Sequence, residues 1–157
     1  MAADGDADRN EIPLAYDRLG SRLVAIGPHE VDHDLSGGRP IRLGRFDLGY
    51  GMLGSRLERI GDLTLSYDHA GSRLRRVGEW TLDYDRWGSR LRRIGDHEIG
   101  YRRLGSRAHR IGDLTIRHGF AGSRPEGIRS PRSELSEDEV IVVFVVLQLQ
   151  ERSKPSD

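Results

Sequence analysis

The chain has no cysteine, and its one lysine, Lys154, stands beside 24 arginines. The first absence excludes disulfides, thiolate metal centres and thiol nucleophiles. The second is the bias expected of a GC-rich bacterial genome, an actinobacterial one for instance, rather than of selection at each site. Long apolar runs are missing too. The longest, Val140 to Leu147, falls well short of the ~20 residues that a membrane helix needs. The opening "MAADGDADRN" has neither the basic nor the apolar region of an export signal, so the cytoplasm is the expected location. Net charge is zero, but residues 54–112 hold thirteen Arg against eight acids, while residues 1–17 and 134–157 are each acidic by four. The expectation is a basic middle between acidic ends.

A length of 157 residues fits one domain. Within it Gly20, Gly37, Gly54, Gly71, Gly88, Gly105 and Gly122 recur every 17 residues, each followed two places on by Arg22, Arg39, Arg56, Arg73, Arg90, Arg107 or Arg124. Taking the glycine as position one, position seven is aliphatic (Ile26, Leu43, Ile60, Val77, Ile94, Ile111, Ile128), and so is position twelve (Val31, Leu48, Leu65, Leu82, Ile99, Ile116). Position ten is large, and position fourteen is Tyr or His: His33, Tyr50, Tyr67, Tyr84, Tyr101, His118. Apolar residues at ten, twelve and fourteen alternate with polar ones, the period of a half-buried strand. Between positions seven and ten lie two residues of which the first is Gly, as a type II′ hairpin turn requires. Each unit therefore reads as a β-hairpin, with seven across from ten, six across from eleven, five across from twelve and three across from fourteen. Every position-three Arg then faces a Tyr or His. A solenoid with one unit per coil would instead stack these arginines ~4.8 Å apart in a like-charge column, which disfavours it.

The apolar face of some fourteen strands must be covered or must curl on itself. Fourteen strands at ~4.8 Å span a diameter of roughly 21 Å, wide enough for a helix about 10 Å across. The segment "LSEDEVIVVFVVLQLQERSK" is the candidate filling. Ser136 and Glu139 have capping-box spacing, a helix start, whereas the β-branched run after them favours strand. Two arrangements stay open: a sheet wrapped around this segment, or the segment covering one side. The expected organisation is an acidic, disordered residue 1–8 stretch, hairpin repeats over 9–128, a linker over 129–133, the apolar segment over 134–153 and a tail over 154–157. The fold class is all-β, an antiparallel meander of about seven hairpins, curled or barrel-like, with a C-terminal apolar helix or strand on or inside it.

"YDRLGSRL" at Tyr16, "YDHAGSRL" at Tyr67 and "YDRWGSRL" at Tyr84 resemble the Tyr-Asp-x-x-Gly-Arg-Leu signature of the YD, or Rhs-type, repeats, over residues 9 to about 128. Here a Ser separates the Gly from the Arg and the unit is shorter. The resemblance implies hairpins winding into a spiral sheet; it implies little about activity.

Four motifs invite a chemical reading. His29-Glu30-Val31-Asp32-His33 matches H-E-x-x-H, but that zinc site needs a helix, where residues four apart are neighbours; on a strand they are ~13 Å apart. A cross-strand metal pair using His29 or His33 is no better supported than a partly buried histidine. Gly49-Tyr50-Gly51-Met52-Leu53-Gly54 spells G-x-G-x-x-G without the strand-turn-helix setting that gives the motif its chemistry. Asp17, Asp34, Asp68 and Asp85 recur with the repeat, as do Ser21, Ser55, Ser72, Ser89, Ser106 and Ser123, so they read as turn residues; an active site occurs once. Arg42, Arg59, Arg76, Arg93 and Arg110, at position six, form a stripe on one surface that could track phosphates or a protein partner.

No catalytic, cofactor-binding or metal-ligating set emerges. The expectation is a non-enzymatic β-repeat scaffold that binds a protein partner, with no cofactor and no membrane span. The arginine stripe as a nucleic-acid or anionic-ligand surface is one alternative. A small-molecule cavity inside the sheet, near Trp80, Trp87 and the position-fourteen tyrosines, is the other.

Overall fold

The computed structural model describes residues 11–18, 22–35, 38–52, 56–68, 73–85, 90–102, 107–119 and 124–153, with 151–153 described by backbone alone. The expected acidic stretch 1–8 and tail 154–157 lie outside the described residues, as do the repeat glycines of position one, the serines after them and Trp87. A lone strand β1 (Glu11–Tyr16) is followed by six hairpins. They are β2 (Leu23–Ile26) with β3 (His29–His33), β4 (Pro40–Leu43) with β5 (Phe46–Tyr50), and β6 (Leu57–Ile60) with β7 (Leu63–Tyr67). Then come β8 (Leu74–Val77) with β9 (Trp80–Tyr84), β10 (Leu91–Ile94) with β11 (His97–Tyr101), and β12 (Ala108–Ile111) with β13 (Leu114–His118). The chain ends in β14 (Pro125–Arg129) and the helix α1 (Glu137–Ser153). Each strand pairs with its neighbours in sequence, and β1 pairs with β14, so the meander closes into a 14-stranded barrel.

Within the hairpins, position seven pairs with ten and six with eleven, as in Val77↔Trp80 and Arg76↔Thr81. The first turn residue has positive φ, from 57° at Gly27 to 59° at Gly112, whereas the second never does among the described residues; this is the type II′ turn. Between hairpins, position twelve pairs with seven of the next unit, thirteen with six and fourteen with four: Leu65↔Val77, Ser66↔Arg76, Tyr67↔Leu74. Position five is skipped. The expected match of five with twelve is therefore corrected by a β-bulge, which sets two residues against one and breaks the inside/outside alternation. Arg75 and Arg92 at position five are exposed as a result, and position four turns inward as Leu57, Leu74 and Leu91.

β14 and β1 form the seventh unit from the two ends of the chain. Ile128, at position seven, pairs with Ile12, and Gly127 with Pro13, the register of a hairpin whose connecting turn is missing. The closed sheet leaves no apolar face outside. All seven position-seven side chains are fully buried, and the position-twelve side chains are buried.

Eight consecutive residues of α1, Val140 to Leu147, are buried, so the helix is covered on every side and occupies the barrel lumen. This decides the open choice between helix and strand. A strand inside a closed barrel has no edge with which to pair its N–H and C=O groups, whereas a helix satisfies its own. That requirement overrides the weak helix propensity of Val and Ile. The capping box forms as expected: Ser136 N donates to Glu139 Oε1 at 2.9 Å and Glu139 N to Ser136 Oγ at 3.1 Å. Two ion-paired latches hold this end at the hairpin turns. Arg132 donates to Asp113 at 2.8 and 3.1 Å and also to Glu139, and Arg45 donates to Glu137 at 2.5 and 2.6 Å. The helix thus runs from the hairpin-turn end of the barrel to the long-loop end.

No helix among the described residues is long and apolar enough to cross a membrane. The outer wall itself carries Arg42, Asp47, Arg59, Arg76, Arg93 and Glu98, exposed along strands of four to six residues. Lipid-facing barrel strands are apolar outside and run to about 9–11 residues.

Candidate ligand-binding site

The long-loop end is built from one arrangement repeated. The tyrosine of position fourteen points inward and donates its hydroxyl to the position-four carbonyl of its own unit: Tyr50 to Pro40 at 2.6 Å, Tyr67 to Leu57 at 2.5 Å, Tyr84 to Leu74 and Tyr101 to Leu91 at 2.7 Å. Over each ring lies the position-three guanidinium, as the repeat register predicts: Arg39 on Tyr50 at 4.1 Å, Arg56 on Tyr67 at 4.3 Å, Arg73 on Tyr84 at 5.0 Å and Arg90 on Tyr101 at 4.7 Å from the ring centroid. Position fifteen closes the long loop. Asp17, Asp34 and Asp85 pair with Arg22, Arg39 and Arg90 at 3.2, 3.5 and 3.6 Å, and the Asp68 carboxylate accepts from the Arg73 backbone N–H at 3.4 Å. These are the turn and ion-pair roles expected of the repeated aspartates.

Burial raises the tyrosine hydroxyls: Tyr84 is pushed up to about 12 and Tyr101 moves the same way, so both stay protonated donors at neutral pH. Two units carry histidine instead. Burial, and then the facing Arg22 and Arg107, hold His33 and His118 below the usual imidazole value. The Nε2 of His118 is buried without a hydrogen-bond partner.

The lumen is not full at this end. A cavity of about 290 Å³ lies between α1 and the strands from β4 to β11. Tyr50, Tyr67, Tyr84 and Tyr101 wall it together with Leu57, Leu65, Leu74 and Leu91; Phe144, Val145 and Leu149 of the helix close the other side. Arg73 and Arg90 stand at its rim, and the Gln148 and Gln150 amides border it. Position four is Ala108 in the sixth unit where Leu57, Leu74 and Leu91 stand elsewhere; it pairs with Tyr101 at the cavity's edge, and its fully buried N–H donates to Gln150 Oε1 of α1.

Chemically, the arrangement offers an apolar chamber, aromatic walls and two cationic groups at the mouth. Its described lining includes no carboxylate, imidazole, Ser or Thr side chain. Trp80 does not line it; it packs over Gly95 in the hairpin turn at the opposite end. The position-fourteen tyrosines do, as the small-molecule reading expects. Position four and the helix glutamines were missed by that reading, because the bulge that turns position four inward leaves no signature in an alternating pattern.

The remaining candidates lie elsewhere. Arg42, Arg59, Arg76, Arg93 and Arg110 are all exposed on the outer wall. Arg42 pairs with Asp47 at 3.2 Å and Arg93 with Glu98 at 3.0 Å. Arg59, Arg76 and Arg110 face Thr64, Thr81 and Thr115 on one side and Gly49, Ser66 and Gly100 on the other. His29 and His33 sit at the two ends of strand β3, and Gly49 and Tyr50 end strand β5 with no helix after it. No family model, no curated protein and no solved structure matches the chain.

Proposed function

We propose that this chain is a non-enzymatic binding module whose ligand is a small amphiphile with an anionic head, received in the lumen at the long-loop end. The observation that carries the reading is the 290 Å³ cavity walled by four tyrosines and rimmed by Arg73 and Arg90. Its size lies at the lower edge of ligand pockets, and a few polar groups at the mouth of an apolar chamber fix orientation. The probe that tests it is anilinonaphthalenesulfonate, an apolar ring system with one sulfonate. Saturable binding with a raised melting temperature and unchanged near-ultraviolet circular dichroism is the expected result. Leu74→Trp, which fills the chamber, abolishes it, and Arg73→Gln weakens it. Absence of saturable binding to the folded chain overturns the reading.

A second reading follows from the outer wall, where Arg59, Arg76 and Arg110 have no carboxylate opposite them in register. That row suits an acidic face on a protein partner, or phosphates. Retention on heparin that falls steeply with salt and is lost in the triple Arg→Gln variant would support it.

A further inference from the structure

We infer that the long-loop end of the barrel docks on an anionic lipid bilayer, with Leu35 and Met52 as the side chains that enter it. The inference rests on the amphiphile reading and names the source of the ligand as the membrane surface. Two independent features support it.

The first is apolar exposure. Leu35 and Met52 are 106% and 104% exposed, against 41% for Ile41, the next large apolar side chain among the described residues. Both hold position sixteen, in consecutive long loops, and the strands beside those loops supply Pro40 and Tyr50 to the cavity wall. They contribute nothing to the core, and burying them in an acyl layer removes apolar surface from water.

The second is a charge difference between the two ends. At the long-loop end the seven position-three arginines, with Arg18 and Arg102, outnumber Asp17, Asp34, Asp68 and Asp85, so the ring stays cationic even where its members pair. At the hairpin-turn end the balance reverses: Asp62, Glu79, Asp96 and Asp113 occupy the turns, and Glu134, Glu137 and Asp138 precede or open α1, against Arg45 and Arg132. An anionic surface attracts the first end and repels the second, which sets the barrel axis upright with the cavity mouth on the lipid. The charged outer wall keeps the barrel itself out of the hydrocarbon. The combination of apolar insertion and cationic attraction is what gives peripheral proteins stable membrane contact.

The test is co-sedimentation of the full chain with vesicles of phosphatidylcholine alone or mixed with phosphatidylglycerol. Binding to the anionic vesicles only, lowered roughly tenfold or more in the Leu35→Ser/Met52→Ser variant, is the expected result. That variant keeps its binding of the soluble sulfonate probe, because neither residue lines the cavity. Failure to bind anionic vesicles at low salt overturns the inference, as does equal binding to neutral ones or binding indifferent to Leu35 and Met52. Loss of vesicle binding in Arg59→Gln/Arg76→Gln also overturns it, since docking would then be side-on. If the probe still binds while the vesicles do not, the amphiphile reading stands and the ligand comes from solution; if the probe fails, that reading has fallen instead.

Discussion

The hydroxyl of Tyr16 donates to the carbonyl of Pro125, 109 residues later, at 2.5 Å. Arg124 lies over the same ring at 4.0 Å. These are the contacts that Tyr84 makes with Leu74 and Arg73 inside one unit, so the two ends of the chain rebuild a complete repeat. The difference is that no turn links β14 to β1. Glu11 takes up the space left by Gly127, where most units have Arg, and draws in Arg117 at 2.6 Å and Arg129 at 3.8 Å.

The seam is therefore where the barrel opens first. Amide exchange in β1 and β14 should proceed through local opening while β6 to β11 exchange only on global unfolding. Ile128→Ala, which empties a fully buried place beside Ile12, should lose about 2–5 kcal/mol by denaturant titration. Tyr16→Phe should lose about 1 kcal/mol and speed exchange in β1. Equal protection around the barrel would show the seam to be as strong as a covalent hairpin.

The helix is core rather than appendage. A chain ending at Ser133 exposes the lumen faces of fourteen strands, and light scattering should show it aggregated. Phe144→Ala, at the largest fully buried side chain, should cost about 3–5 kcal/mol. A truncated chain that stayed monomeric and β-structured would mean that the sheet collapses on itself.

If the small side chain of Ala108, beside Gln150 of α1, sets where the helix lies, a larger one should change the chamber. Ala108→Leu restores the residue of most other units and places a larger side chain against Gln150 of α1. The helix should move toward Leu57 and Leu74, the cavity should shrink, and binding of anilinonaphthalenesulfonate should weaken by an order of magnitude or more. Overpacking should also cost about 1–3 kcal/mol. Unchanged probe affinity would separate helix placement from this residue.

The parts of the structure legible in advance are those that repeat. Seven copies of Ile26-like residues and six of the glycine turn define the hairpins, and the Arg–Tyr stacking follows from their register. Single-copy features were not legible in the same way. Closure depends on Glu11–Tyr16 and Pro125–Arg129 being two halves of one unit, which the pattern shows only if the ends are joined. The bulge at position five is carried by backbone geometry, and residues as different as Ile41, Glu58 and Arg92 occupy it. The helix over Val140 to Leu147 has the composition of a strand; the capping box of Ser136 and Glu139 marks its start, and the closed lumen around it decides for helix. The cavity, too, lies on one side only, between α1 and the strands from β4 to β11, where the repeat makes no distinction.

The pH response of stability reports on the same tier of rings. Tyr84 holds its proton to about 12 and Tyr101 shifts upward too, in both cases because burial disfavours the phenolate, while an unfolded tyrosine titrates near ~10. Their contribution is complete below about pH 10 and is lost as pH rises through the folded value, so unfolding should set in above that point. Tyr84→Phe should flatten this alkaline limb. The histidines act in the opposite direction. Burial first, then Arg22 and Arg107, lower the folded pKa of His33 and His118, while the unfolded side chains titrate near ~6.5. Their contribution is complete above about 6.5 and is lost as pH falls through the folded values. His118→Tyr returns the sixth unit to the common pattern and places a hydroxyl where the Ala108 carbonyl can accept it. Melting temperatures recorded from about pH 5 to pH 7 should therefore decline less in this variant than in the parent chain. A decline of the same size in both would show that His118 carries none of it, since carboxylates such as Asp113 and Glu137, which Arg132 and Arg45 hold below their ordinary range, lose their pairs only as pH falls below that interval.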